Sequence, residues 1–516
     1  MKTIKTWMLL IAGLLLTASC ANDDTANKDN DQEPGTEGLT SFVEEDQATR
    51  TTGEYDGSGL NFYWTAGDRL WVNTGTALAP ILTQDSKNNI NSTLVNNPAN
   101  SSAVKRVDKA RFWFAGTYTA NSYPVRYTGK NGVKDKVTIK AAQSQTIPND
   151  ASHIGEDGDF GVATATKPAG SEAYAFTLDH KAAYITFIPY TTQTEVAGAK
   201  IQKIRVYTSN PSDALAGTFD LADDGTLSNR ASTSNSVELD VTGGVWNGGF
   251  SIPSTETYAT NGATMVVNPG TYSNVSIEYT LHDPATYTTG TITKTYPSVT
   301  FTAGRNKKVH TDLQVTVYPP DNYYMWDAAV GQHYWYGHLD ANGQPDGNYP
   351  HNNTDSRWHR EDTSTPPPAA NRSAKDCPNV NECIWYAMQG DPHYEDKLWA
   401  MRGHLYAGGM WFLKKAHIPG FTDANYNGTD YRTTNAFFKP TPTKGRPSNL
   451  SNYFFLPSLG RYDSGNFSSI GFYGDYWSST PTSGGTVSAY YLFFGNSVMV
   501  VSSSTREDGC SLWSGQ

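Results

Sequence analysis

The chain has 516 residues, among them 46 glycines, 27 prolines and 31 tyrosines, and only 17% of the residues are charged. This composition favours a turn-rich β protein of about three domains. The formal net charge of -11 excludes a nucleic-acid-binding protein, because no basic stripe is present to displace counterions from phosphates.

The first twenty residues have the pattern of an export signal. Lys2 and Lys5 form a positively charged start, and the apolar stretch Met8–Leu16 is too short to span a bilayer. Residues 17–20, Thr-Ala-Ser-Cys, resemble the lipobox of bacterial lipoproteins, which implies that Cys20 is lipidated. An ordinary secretory signal cut before Cys20 is the alternative, and it also implies export. Residues 21–38 form a polar, acidic tether that cannot pack a core.

Short strands separated by turn residues follow from residue 39 to residue 318. Runs such as Arg111–Phe114 and Ala183–Pro189 are rich in aromatic and β-branched residues, with no helical periodicity between them. This pattern predicts β-sandwiches. We predict one sandwich over residues 39–190 and a second over residues 191–318, where the alternating pattern restarts.

Several short motifs occur in a characteristic order within these two regions. They are Thr49–Thr52, Trp64–Arg69, Gln145, His153–Ala163, Leu178–Ala183 and Phe301–Gly304. Their order resembles that in the fimbrillin family, the lipoprotein-derived, Bacteroides-type pilins. The resemblance implies that the two sandwiches are transthyretin-like. It also implies that the protein is located at the cell outer membrane and in the fimbria. The family assembles by strand exchange. A protease removes an N-terminal strand, and an extended segment of the next subunit fills the groove.

The resemblance also implies a processing site. By position the cleaved bond follows Arg50, so that the processed chain would begin at Thr51 and lose the lipidated Cys20. An exposed loop arginine without any processing is the alternative interpretation of Arg50.

The composition changes after residue 320, where Trp and His become frequent. We predict helices over Asn379–Gln389 and Ala407–Ala416. Short aromatic strands follow at Tyr453–Gly460, Gly474–Thr480 and Ala489–Phe494. The predicted fold class is therefore mainly β, with an α+β domain over residues 319–516.

The order of elements in this last domain resembles a C-type-lectin-like module, the major paralogous domain of bacterial surface proteins. Residues 455–457, 474–479 and 506–512 carry the resemblance. It implies binding loops at residues 420–451 and 464–474. Tyr476 and Trp477 are candidates for stacking on a sugar ring, although aromatic residues in a strand more often belong to the core.

The cysteines, histidines and candidate nucleophiles indicate whether the chain forms disulfides, binds a metal or acts as an enzyme. Cys377 and Cys383 are candidates for a disulfide in an oxidising envelope, with Cys510 as the alternative partner. The histidines lack the paired spacing of a zinc site, so we predict no metal and no cofactor. No nucleophile elbow is present, and we expect no enzyme activity. A formylglycine-generating type of enzyme, which shares the lectin-like fold, is a remote alternative.

These patterns together predict a tip or accessory subunit of a fimbria. Its partners would be other fimbrillin subunits, through strand exchange, and a host or bacterial surface glycan or protein. A stalk subunit ends in a donor extension, but here a whole domain follows Leu313–Tyr318. Such a subunit would accept a strand and donate none. The alternative is a lipid-anchored surface lipoprotein that binds a glycan or a protein outside any fimbria.

Overall fold

The computed structural model describes residues 33–44, 53–97, 104–244, 248–341, 343–362 and 364–516. The fold is mainly β, as predicted, with 43% of the residues in strands and 6% in helices. No described helix is both long enough and apolar enough to cross a membrane. Cys20, Arg50 and Thr51 lie outside the described residues, so their lipidation and processing stay predictions.

The N-terminal part consists of short strands and two one-turn helices. In chain order these are β1 (Thr40–Glu44), β2 (Gly53–Tyr55), β3 (Leu60–Phe62), β4 (Trp64–Thr65), β5 (Trp71–Asn73), β6 (Leu82–Gln84), β7 (Lys87–Asn88), α1 (Ile90–Thr93), β8 (Arg106–Val107), β9 (Arg111–Phe114), β10 (Ser122–Tyr127), β11 (Lys136–Ile139), β12 (Ala142–Ser144), α2 (Ile154–Asp157), β13 (Gly161–Thr166), β14 (Tyr174–Phe176) and β15 (Asp179–His180). Most of them pair in one sheet with the order β6-β5-β10-β13-β14-β1-β9-β7. A separate apolar core packs against this sheet and contains Phe42, Trp64, Phe112, Tyr127 and Tyr174.

The middle part has longer strands. Its elements are β16 (Ala183–Tyr190), β17 (Lys200–Thr208), β18 (Ala216–Leu221), β19 (Leu227–Ser234), β20 (Ser236–Asp240), β21 (Phe250–Ser251), the helix α3 (Tyr258–Asn261), β22 (Ala263–Val267), β23 (Gly270–Asp283), β24 (Thr288–Phe301) and β25 (Asn306–Asp312). One sheet has the order β12-β20-β17-β23-β24, and two three-stranded sheets have the orders β11-β18-β19 and β22-β16-β25. A second large core joins these sheets.

Strand pairing crosses the boundary that we predicted at residue 190. The strand at Ala183–Pro189, expected in the first sandwich, pairs with β22 and β25 of the middle part. Two earlier strands, β11 and β12, also pair with middle-part strands. That placement was wrong because the strand pattern contains no information on which distant segment completes each sheet.

The C-terminal part contains two five-stranded sheets and one α-helix. Its elements are β26 (Thr316–Val317), β27 (Tyr323–Tyr324), α4 (Val380–Gln389), β28 (His393–Met401), β29 (His404–Leu413), β30 (Thr443–Lys444), β31 (Tyr453–Pro457), β32 (Arg461–Asp463), β33 (Asn466–Ser468), β34 (Gly474–Pro481), β35 (Ser488–Phe494), β36 (Met499–Thr505) and β37 (Cys510–Ser511). The sheets have the orders β26-β28-β29-β31 and β27-β37-β34-β35-β36. We call residues 319–516 the C-terminal module.

The first predicted helix of this module is confirmed and the second is wrong. Asn379 caps α4 through a complete capping box with Glu382. The expected helix at Ala407–Ala416 is instead strand β29, hydrogen-bonded between β28 and β31. Gly408 has a φ of +102°, and a Cβ there would lie 2.3 Å from the Tyr394 hydroxyl. Two adjacent glycines disfavour a helix and permit this close contact.

Candidate functional site

Strand β1 is inserted between two strands that come later in the chain. It runs antiparallel to β9, with Phe42 opposite Phe112, and parallel to β14, with Phe42 opposite Tyr174. The β14 strand shares three residue pairs with β1 and one with β13. Removal of β1 would therefore expose the edges of β9 and β14 and leave β14 with little support.

Phe42 is the main apolar contact that β1 makes with the core. Its side chain is fully buried, stacks on the ring of Tyr174 at 4.7 Å and meets Phe114 edge-on at 5.0 Å. Glu44 ends the strand as a buried carboxylate whose Oε1 accepts a hydrogen bond from the Leu178 amide. The sequence pattern predicts short strands from residue 39 onward but does not single out Phe42. The available signal was a large aromatic residue in a short run that is otherwise mostly polar.

The segment that follows the predicted processing site packs against the core of the middle part, not against the core that contains Phe42. Hairpin β2–β3 packs on the middle part, where Phe62 joins the core. Asn149 bonds both backbone groups of Tyr55, and Gly53 exchanges backbone hydrogen bonds with Ala151. Residues 45–52, which contain Arg50, thus join β1 to a segment that is held independently of it.

The segment that follows β25, the last strand of the middle part, is hydrogen-bonded to a strand of the same chain. Strand β26 lies parallel to β28, with Thr316 opposite Trp399. Asp283 of β23 accepts hydrogen bonds from the Leu405 amide and from His404. Leu398 and Leu405 complete the middle core. The C-terminal module therefore packs directly against the middle part.

Tyr476 and Trp477 form part of the interior of the C-terminal module. Their exposed fractions are 2% and 0%. The Tyr476 hydroxyl donates to the Pro457 carbonyl, and the Trp477 indole N–H donates to the Tyr324 carbonyl. The prediction that these rings stack on a sugar is therefore wrong for this structure, because no ring face is open.

The two loops predicted to bind ligand are ordered by contacts with the module. In residues 420–451, Phe438 forms a backbone bridge with Val501, and Asp430 accepts a hydrogen bond from Asn381. In residues 464–474, Gly471 donates its amide to the Ser458 carbonyl. Each loop exposes one phenylalanine, Phe437 at 68% and Phe472 at 72%. A ligand-binding role for these loops stays a prediction.

The three cysteines of the C-terminal module are free and buried. Burial raises the pKa of Cys377 to about 12 and raises those of Cys383 and Cys510 well above the ordinary value. The Cys383 thiol points to the Pro378 carbonyl at 3.9 Å. The bridge predicted between Cys377 and Cys383 is thus not formed in this structure.

We expect these three thiols to be unreactive until the protein unfolds, because reaction needs an accessible thiolate. The measurement is thiol titration with an aromatic disulfide reagent, before and after denaturation, on a chain that begins at residue 21. The unfolded chain should show three thiols. One thiol after unfolding would indicate a disulfide, and a rapidly reacting thiol in the native protein would favour the enzyme alternative.

No family model matches the chain, and no curated protein matches it. A proposed cell adhesion protein from Bacteroides ovatus is similar in structure, with 13% identity, a TM-score of 0.29 and coverage of 53% of this chain and 92% of that chain. A fimbrial assembly protein from Parabacteroides distasonis has 10% identity, a TM-score of 0.27 and coverage of 54% and 91%. The fimbrial anchor protein Mfa2 from Porphyromonas gingivalis has 10% identity, a TM-score of 0.18 and coverage of 49% and 82%. At such low identities and TM-scores, the functions in these names do not transfer to this chain.

Proposed function

We propose that this chain is a cell-surface fimbrial subunit that accepts a strand from a neighbouring subunit and presents its C-terminal module for adhesion. The observation that carries the proposal is the position of β1. A short N-terminal strand fills the gap between β9 and β14, and it is joined to the rest of the chain through the segment that contains Arg50. Cleavage there would free the strand without cutting a described element.

The proposal includes the place of the subunit within the fibre. A stalk subunit needs a free extended segment to donate, whereas Thr316 and Val317 are paired with β28 and the junction is packed around Leu398. These contacts support a tip position, where a subunit accepts a strand and donates none. The order of motifs in the sequence resembles that of fimbrillins, which favours a role as a fimbrial subunit.

We further propose that the role is binding rather than catalysis. The thiols that a formylglycine-generating enzyme would need are buried, and burial raises their pKa values. Thiolates form poorly in such surroundings.

The test is the N-terminal sequence and intact mass of the protein isolated from its cells, with and without Arg50→Ala. We expect a start at Thr51 for the unchanged protein, and loss of both processing and fibre incorporation for the variant. Lys109→Ala, at an exposed basic residue within the described part of the chain, should leave processing unchanged.

Two results would contradict parts of the proposal. A mature chain that begins at acylated Cys20 and is absent from fibres would favour the lipid-anchored lipoprotein. Immunogold label along the whole shaft, rather than at one end, would refute the tip position.

A further inference from the structure

A cavity of about 320 Å³ lies where the middle part meets the C-terminal module. Strand β24 contributes Thr291 and Thr293, the joining segment contributes Thr316, and the module contributes Lys397 and Arg446. Small-molecule sites typically have volumes of about 300–1,000 Å³ and are common at domain junctions. The cavity therefore suits a ligand of one or two small rings.

Lys397 faces this cavity without an acidic partner. Among the described residues, no carboxylate lies within the 4.0 Å ion-pair distance of its ammonium group. Its Nζ instead lies 4.9 Å from the ring centre of Trp411 and 4.6 Å from that of Phe455. These cation–π contacts position the ammonium group, but they supply no carboxylate within ion-pair distance.

Strand β28 is irregular where it carries Lys397. The register between β28 and β29 shifts between Glu395 and Leu398, so Asp396 and Lys397 occupy an irregular stretch. Bulges of this kind redirect side chains and are common beside binding sites.

Burial lowers the pKa of Lys397, although Glu395 opposes the shift. A lysine that already had a close carboxylate partner would be expected to shift the other way.

Arg446 provides the second cation at the cavity. Its Nε donates to Glu395 at 2.9 Å, and the other carboxylate oxygen of Glu395 accepts from the Trp411 indole. Both carboxylate oxygens of Glu395 therefore accept hydrogen bonds from groups other than Lys397. None of the described residues that line the cavity carries a carboxylate, and Lys397 is the lining cation without a carboxylate at ion-pair distance, because Arg446 is paired with Glu395.

The remaining walls combine hydroxyl groups with aliphatic carbon. Ile292 and Leu398 supply apolar surface. Reciprocal hydrogen bonds between Gln193 and the backbone of Val315 fix the joining segment. A Cβ added to Gly290 would lie 2.6 Å from Leu398, so the two parts are in close contact beside the cavity. The walls are therefore positioned before any ligand binds.

We propose that this junction cavity binds a sugar acid, with the ligand carboxylate on Lys397 and Arg446. The threonine hydroxyls would meet the sugar hydroxyls, and Ile292 and Leu398 would cover the C–H surface of the ring. The inference rests on the adhesive role proposed above, and it names the ligand class for that role. It places the binding site at the junction rather than in the exposed loops of the module.

The test compares glucuronate with glucose, which differ only in a carboxylate in place of a hydroxymethyl group. Isothermal titration or saturation-transfer NMR on the full soluble chain should show at least about tenfold tighter binding of glucuronate, the size of one charge-assisted contact. Lys397→Gln should remove this preference, and Lys397→Arg should keep most of it. Lys375→Gln, at an exposed lysine elsewhere in the module, is the matched control.

Equal affinities for glucuronate and glucose, or an unchanged preference in a folded Lys397→Gln protein, would overturn the proposal. Tighter binding of a tetraglutamate peptide would overturn the sugar assignment and indicate an acidic peptide ligand. A melting curve for each variant separates lost binding from lost folding. Because this titration requires no fibre, a negative result here is distinct from a failure of fibre assembly.

Discussion

Replacing Phe42 by alanine should weaken the N-terminal sheet selectively. The side chain is fully buried and stacks on Tyr174, so its truncation should cost about 3–5 kcal/mol. Hydrogen exchange measured by mass spectrometry should show faster exchange in β9 and β14, by a factor of about 150 to 5,000, since each 1.4 kcal/mol is about tenfold. The middle core is separate from the Phe42 core, so β17 and β23 should keep their protection.

The matched control is Ser41→Ala, because Ser41 lies in the same strand but is only partly buried. We expect near-normal protection in this variant. Unchanged exchange in Phe42→Ala would mean that β1 contributes little to the sheet. Removal of β1 would then leave no groove that a donor strand could fill with a gain in stability, and the strand-exchange proposal would lose its structural basis.

Replacing Asp327 by asparagine should be the most destabilising single change in the C-terminal module. Its fully buried carboxylate pairs with Arg360 at 2.9 Å and accepts backbone hydrogen bonds from Asn371 and Arg372. The substitution would leave the buried Arg360 without its main partner, which typically costs about 3–5 kcal/mol. The measurement is the free energy of unfolding of the module in urea.

Two features make this change informative. Asp327 has a φ of +52°, a conformation that asparagine also tolerates, so backbone strain should not confuse the result. Arg360 and Arg506 both contact the Trp326 ring, at 5.2 and 4.3 Å from its centre, so the loss should spread through the cluster. Asp362→Asn is the control, since Asp362 lies 4.0 Å from Arg360 and should matter much less. Equal losses would show that general charge, not the buried pair, stabilises the module.

Local sequence patterns account for the predictions that the structure confirms. The helix at Val380–Gln389 was predictable because its capping box lies within four residues of chain. The strand Arg111–Phe114 was predictable from a compact aromatic run between turns. The expected helix at Ala407–Ala416 failed because a short apolar run is compatible with a buried strand as well as a helix.

The sequence by itself determined the mainly β class and the positions of several strands, because these follow from alternation and turn residues within a few positions. Only the tertiary structure decided which strands pair. The placement of β1 between β9 and β14 joins residues more than 65 positions apart in sequence on either side. It also decided that Trp477 is interior and that Lys397 faces a cavity with no carboxylate of the described residues at ion-pair distance. Burial and charge pairing depend on distant segments, which local patterns do not encode.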